Sequence, residues 1–166
     1  MKNTNFDVTI SYMNEDFTIS LSSDNCTNES LLKQLQELKQ ERFEQESGED
    51  FEGEFEEDFE ITDWQDIPVW CQDLEILADL FDNSDDYYEI EIYEAAYSLD
   101  IPFSDVAEAY SGEFNSDEDF AENLANELGL LQYSKNWPYT CIDWEQAANE
   151  LMYDYCTENN YYFRNL

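Results

Sequence analysis

Apolar residues alternate with polar ones from the start of the chain: Phe6, Val8, Ile10 and Tyr12 fall at every second position, and Phe17, Ile19 and Leu21 resume the rhythm. A period of two marks a half-buried strand, so the chain is predicted to open with a hairpin turning at Asn14-Glu15. The period then lengthens. Leu31, Leu35 and Leu38 define one side of a helix that Asn28 or Ser30 caps and that runs to about Phe43. Phe51 and Phe55 return to the two-residue rhythm inside an acidic stretch that Gly48 and Gly53 loosen. Phe59 and Ile61, facing away from Glu60, predict a third strand over 58–63.

Beyond Pro68 the texture turns helical. Leu74, Leu77, Ala78 and Phe81 mark a helix ending near Asn83, and Ile90, Tyr93, Ala96 and Tyr97 mark another ending before Pro102, although Tyr87–Tyr93 also suits a strand. Ser104 is read as the cap of a short helix through Tyr110. The run Ser116-Asp117-Glu118-Asp119 is read as a capping box, with Phe120, Leu124 and Leu128 inward and Gly129 as the stop. Trp137-Pro138 breaks the chain, Asp143 caps a helix from Trp144 to about Tyr155, and a strand over Tyr161–Phe163 closes the fold. The fold class is α+β in small lobes: 1–67 with the hairpin and acidic loop, 68–103 helical, and 104–166 α+β.

Charge changes this picture. The chain has 166 residues, 42 of them acidic and 6 basic, for a formal net charge of −36, and no basic residue occurs between Arg42 and Lys135. Self-repulsion of that size opposes compaction. Yet aromatics are threaded through the acids, 12 Tyr and 11 Phe, where a solvated acidic tail would be poor in them. The reading is a folded surface built to carry negative charge, whose partner is a basic protein that binds nucleic acid. Nucleic acid itself and anionic membranes are repelled.

Catalytic chemistry finds no foothold. With no histidine there is no Ser-His or Cys-His pair. Cys26, Cys71, Cys141 and Cys156 are too widely spaced for a zinc set and read as reduced thiols. Asp82-Asn83-Ser84-Asp85-Asp86 lacks the register of a calcium loop. The expectation is a non-enzyme with no catalytic, metal or cofactor site. The opening residues lack a signal-peptide core and no apolar run has membrane-spanning length, so a soluble cytoplasmic protein is expected, and the Asn25 and Asn28 glycosylation patterns are set aside.

The acids are better read as an array. Carboxylates at i and i+4 of a helix, such as Glu118 with Glu122 or Asp82 with Asp86, lie about 6 Å apart, near the phosphate spacing of one nucleic-acid strand. Duplex DNA carries one charge per ~1.7 Å, so a net charge of −36 at that density covers about 60 Å, or roughly 18 base pairs. A compact globule of this length would be only about 40 Å across, which favours an elongated string of lobes. The candidate phosphate mimics are Glu52, Glu54, Glu56, Glu57, Asp58, Glu60, Asp63, Asp66, Asp82, Asp85, Asp86, Glu89, Glu113, Asp117, Glu118, Asp119 and Glu122. The apolar, weakly charged segment around Tyr139, Ile142 and Trp144 is either C-terminal core or the centre of an interface.

Several fragments carry a family resemblance. The run from Glu57 to Trp64, EDFEITDW, resembles the E-x-x-x-I-H-D-Y stretch of the ArdA antirestriction proteins. Tyr110-x-Gly112-x-Phe114, Asp119-Phe120-Ala121 and Glu127-Leu128-Gly129 are similar to their C-terminal region. Leu130-Leu131, Tyr139, Ile142-Asp143-Trp144-Glu145, Ala148 and Leu151 follow the family's L…Y-I-D-[YW]-E-x-x-A-x-x-L motif in order. The resemblance spans about residues 56–166. Thr62 stands where the family has histidine, and the family's G-x-W turn is missing from the hairpin. The resemblance implies an elongated, three-lobed acidic homodimer, carried by mobile elements, that imitates bent DNA. It would occupy the DNA groove of type I restriction-modification enzymes in the bacterial cytoplasm and block them without catalysis. Leu130, Leu131, Tyr139, Ile142 and Trp144 would lie at the dimer contact. The alternatives are an acidic adaptor or chaperone for basic nucleic-acid-binding proteins, and a decoy of the same kind redirected to another defence complex such as a CRISPR effector.

Overall fold

The computed structural model describes residues 6–84, 88–130 and 139–166. The chain forms two compact units, Met1–Tyr87 and Tyr88–Leu166. The helical stretch 68–103 read as a lobe of its own is thus shared between them, and both units are α+β.

In the first unit, β1 (Phe6–Tyr12) and β2 (Glu15–Leu21) form the hairpin, and β3 (Glu60–Gln65) adds to the other side of β1, all antiparallel. The alternation does what it predicts: Phe6, Val8, Ile10, Tyr12, Phe17, Ile19 and Leu21 are all buried. The turn sits one residue earlier than expected, at Met13-Asn14, where both residues have positive φ (50° and 61°). Such a pair is what a two-residue turn needs to match the strand twist. β3 starts two residues late, and Thr62 is an extra residue in its ladder, since Thr9 pairs with Asp63 and Ile10 with Ile61.

Helix α1 (Asn28–Ser47) buries Leu31 and Leu35 and is tied to β2 by Lys39 and Arg42, which reach Glu15. Its cap is Thr27, not Asn28 or Ser30: the Thr27 hydroxyl accepts from the Ser30 N–H and the Ser30 hydroxyl accepts from the Thr27 N–H. It outlasts the last apolar contact and stops at Gly48, which takes the left-handed conformation (φ 73°) as a C-cap. A short 3₁₀ turn (Val69–Cys71) leads to α2 (Leu74–Asn83), capped by Asp73. The Phe81 ring meets Phe6 at 5.8 Å, fixing α2 to the sheet.

The second unit opens with α3 (Ile90–Ser98), a helix despite its strand-like alternation, because Ile92, Tyr93, Ala95 and Ala96 are buried at helical spacing. A 3₁₀ turn (Phe103–Asp105) and α4 (Val106–Ala109) follow. Ser104 does not cap them; its hydroxyl bonds the Asp105 carboxylate at 2.9 Å. Tyr110 opens β4 (Tyr110–Glu113) rather than closing a helix. Helix α5 (Asp117–Glu127) starts at Ser116 as expected, its hydroxyl accepting from the Asp119 N–H, and turns off at Gly129 (φ 66°). Leu128 is exposed, not inward, because it already lies past the end of the helix.

Asp143 caps α6 (Trp144–Leu151), which packs on α5. The helix ends four residues short of Tyr155, since Tyr155 belongs to β5 (Tyr155–Glu158), hairpinned onto β6 (Tyr161–Arg164) through Asn159-Asn160 at φ 51° and 69°. The sheet order is β4-β6-β5, all antiparallel. The Tyr162 and Phe120 rings meet, tilted, at 4.6 Å, which places α5 on one face of β6, while α3 and α4 contact the sheet through the face of Phe163 and Tyr110. Among the described residues no helix is long and apolar enough to cross a membrane. The Trp137-Pro138 break lies outside the described residues.

Candidate functional site: an outward carboxylate surface

The few cations come first, because they decide how much of the acidic charge is left over. On α1, Lys39 pairs with Glu15, and Arg42 reaches the other oxygen of the same carboxylate at 3.1 Å. Arg42 also lies over the Phe17 ring at 4.4 Å. Glu15 is held below the usual carboxylate range by its hydrogen bond to Lys39, with Arg42 adding to the effect. Lys33 sits 4.0 Å from Glu37 along the helix, with both side chains open to water. Two cations therefore converge on one acid near the hairpin turn.

The acidic stretch after α1 has no regular secondary structure through Phe59, yet it is tied to the lobe. The Phe51 N–H donates to the Gln40 side chain at 3.2 Å, and the Tyr12 hydroxyl donates to the Glu56 carbonyl at 2.8 Å. Phe51 meets Phe43 at 5.4 Å and Phe55 at 5.0 Å. Phe51, Phe55 and Phe59 recur every fourth residue and are half-buried, while Glu52, Glu54, Glu56, Glu57 and Asp58 between them are exposed. Aromatic anchoring thus gives the carboxylates fixed places, which a solvated tail would not have.

Glu60, Asp63 and Asp66 are exposed on and just after β3, and Asp82 on the last turn of α2. Asp82 lies near the end of α2, whose C-cap Ser84 is extended (φ −79°, ψ 140°); Asp85 and Asp86, and with them the expected Asp82–Asp86 pair, lie outside the described residues. In the second unit Glu89, Glu113, Glu118 and Asp119 are exposed, whereas Asp117 and Glu122 are half-buried. Glu118 and Glu122 do share α5 at i and i+4. Among the described residues no charged side chain is buried.

Helix starts collect acids. Asp73 and Glu75 open α2, Glu89 and Glu91 open α3, Asp117, Glu118 and Asp119 open α5, and Asp143 and Glu145 open α6; among the described residues no helix carries a base in its last turn. At a helix N-terminus a carboxylate meets the positive end of the dipole and gains roughly 0.3–1 kcal/mol, which offsets part of its repulsion with the rest of the field. Glu118 is held low by its own backbone N–H and by the Ser116 hydroxyl. Asp117 differs from its neighbours: it accepts a 2.6 Å hydrogen bond from the buried Tyr162 hydroxyl and so belongs to the core as much as to the surface.

Sequence reasoning named Glu89 and Glu113 but passed over Glu91, Glu158 and the tyrosine they surround. Tyr161 lies on the central strand directly opposite Glu113 of β4 and Glu158 of β5. It could have been found from the Asn159-Asn160 hairpin signal, but only with β4 and β5 in hand. Burial pushes the Tyr161 hydroxyl up, and Glu113, Glu91 and Glu89 push it further.

Of the expected dimer contact, Leu130 is exposed just after α5, while Ile142 and Trp144 are half-buried at the start of α6. Leu131 and the Tyr139 side chain lie outside the described residues; the Tyr139 backbone opens a 3₁₀ turn (Tyr139–Cys141). The four cysteines are free thiols, and burial, with Asp73 and Asp82 nearby, pushes Cys26 up to about 11, too high for a thiolate at neutral pH. Among the described residues no three Cys, Asp or Glu side chains gather to hold a metal ion. No protein-family model, curated protein or solved structure matches the chain.

Proposed function

We propose that this chain is a protein decoy of duplex DNA that occupies the DNA-binding groove of a bacterial defence enzyme, a type I restriction-modification complex in the first instance. It acts by occupancy, as a homodimer and without catalysis. One observation carries the reading: among the described residues neither unit buries a carboxylate, and Lys39 and Arg42 are both spent on the single acid Glu15. The acidic stretch is anchored by Phe51, and the helix starts hold acids on rigid backbone. A groove evolved for phosphates binds such an array through charge-assisted contacts and loses it steeply as salt rises, because the Debye length is only about 8 Å at physiological ionic strength. The resemblance of residues 56–166 to ArdA proteins supplies the target class.

The test is DNA cleavage by a purified type I complex with the chain added. Inhibition is expected to fall as duplex DNA is added and as salt is raised. Binding that duplex DNA does not displace would sink the decoy reading and favour the adaptor.

A further inference from the structure

The neighbourhood of Tyr161 is built differently from the rest of the acidic surface. Tyr161 is on β6, the central strand of its sheet, and its cross-strand partners are Glu113 on one side and Glu158 on the other. Directly opposed residues project from the same face. The bulge between Tyr110 and Gly112 brings Tyr110 onto that face too, and the two rings lie 6.3 Å apart. Tyr88 stands edge-on to Tyr110 at 5.5 Å. Two residues along the strand Phe163 is wholly buried, but Tyr161 is only half-buried.

We infer that Tyr161, flanked by Glu113 and Glu158 on the strands and by Glu89 and Glu91 at the start of α3, is a docking seat for an arginine guanidinium of the partner protein. The guanidinium is planar and weakly hydrated. It can lie on an aromatic ring while its N–H groups reach carboxylates at the ring's edges, which a compact ammonium does less well. A ring held on a central strand between two glutamates offers that arrangement without loop ordering, and charge complementarity fixes the occupant's sign. Burial first raises the Tyr161 and Tyr110 hydroxyls, and Glu113 and Glu89 add to the rise in both. The inference rests on the decoy reading for whose arginine it is, since phosphate-binding grooves present arginine.

The experiment separates the two. The full chain is titrated with the capped tripeptides Gly-Arg-Gly and Gly-Lys-Gly while the tyrosine ring resonances are followed by NMR. The arginine peptide is expected to move the Tyr161 and Tyr110 rings at several-fold lower concentration than the lysine peptide. Tyr161→Leu is expected to bring that ratio close to one, whereas Tyr161→Phe, which keeps the ring, preserves it. Glu113→Gln with Glu158→Gln should weaken both peptides. Equal response to the two peptides, an unchanged ratio in Tyr161→Leu, or loss in Tyr161→Phe would overturn the seat, as would magnesium ions moving the same resonances as effectively as arginine. None of these outcomes depends on the restriction complex, so the seat and the decoy reading fail separately.

Discussion

The hydroxyl of Tyr162, buried between β6 and α5, donates to the Asp117 carboxylate, and this single bond joins the surface charge to the core. Burial first and Asp117 second keep the hydroxyl protonated far above its usual range. Tyr162→Phe is expected to cost roughly 1.5–3 kcal/mol, as for a hydrogen bond to a charged group, measured by urea unfolding at neutral pH. The sign of the pH dependence follows. A raised folded-state value means that the contribution is complete below about pH 10, where the unfolded tyrosine begins to titrate, and is lost as pH climbs beyond it. Tyr12, Tyr110 and Tyr161 shift the same way, so stability should fall on the alkaline side, and less steeply in Tyr162→Phe. The sequence showed Asp117 as one of three acids opening a helix; only the packing of β6 on α5 sets it apart.

At the scale of elements, the first hairpin carries a direct test of turn chemistry. Met13 occupies a left-handed position (φ 50°) that costs a side chain with a Cβ about 1–2 kcal/mol. Replacing Met13-Asn14 by Asn-Gly, the pair this turn favours, should raise the unfolding midpoint by a few degrees; no gain would mean the turn is not of this type. Helix α5 offers a functional counterpart. Glu118→Gln alone should change inhibition little, because the field is distributed. Replacing Glu118, Asp119 and Glu122 together should weaken it clearly, with Asp117 kept intact so that the loss cannot come from the Tyr162 bond. Inhibition unchanged by the triple substitution would remove this helix from the binding surface.

For the whole molecule, a net charge of −36 makes compaction work against itself. Added salt should therefore raise the thermal midpoint, and potassium chloride and choline chloride should act alike, because screening rather than site binding is responsible. Self-association should tighten with salt for the same reason, opposite to target binding. Leu130, Ile142 and Trp144 are the apolar residues proposed to hold it. Sedimentation of the wild type and of Trp144→Ala across a salt series measures this, and a wild-type monomer at every concentration would end the dimer proposal.

The sequence alone determined the α+β class, the first hairpin, the extent of α2, the Ser116 and Asp143 caps and the outward fate of the acids. Each of these follows from periodicity, from cap chemistry that acts within four residues, or from the cost of burying charge. The tertiary structure decided the rest. The helical spacing of Ile90, Tyr93, Ala96 and Tyr97 competes with the strand-like alternation of YYEIEIY, and burial of Ile92, Tyr93, Ala95 and Ala96 decides for the helix α3 from Ile90 onward. Tyr155 falls in step with the helical pattern begun at Trp144, and the pairing of Tyr155–Glu158 with β6 places it in β5. Which glutamates flank Tyr161 depends on strand register and on one bulge, and register is a property of two strands meeting, absent from either strand read alone.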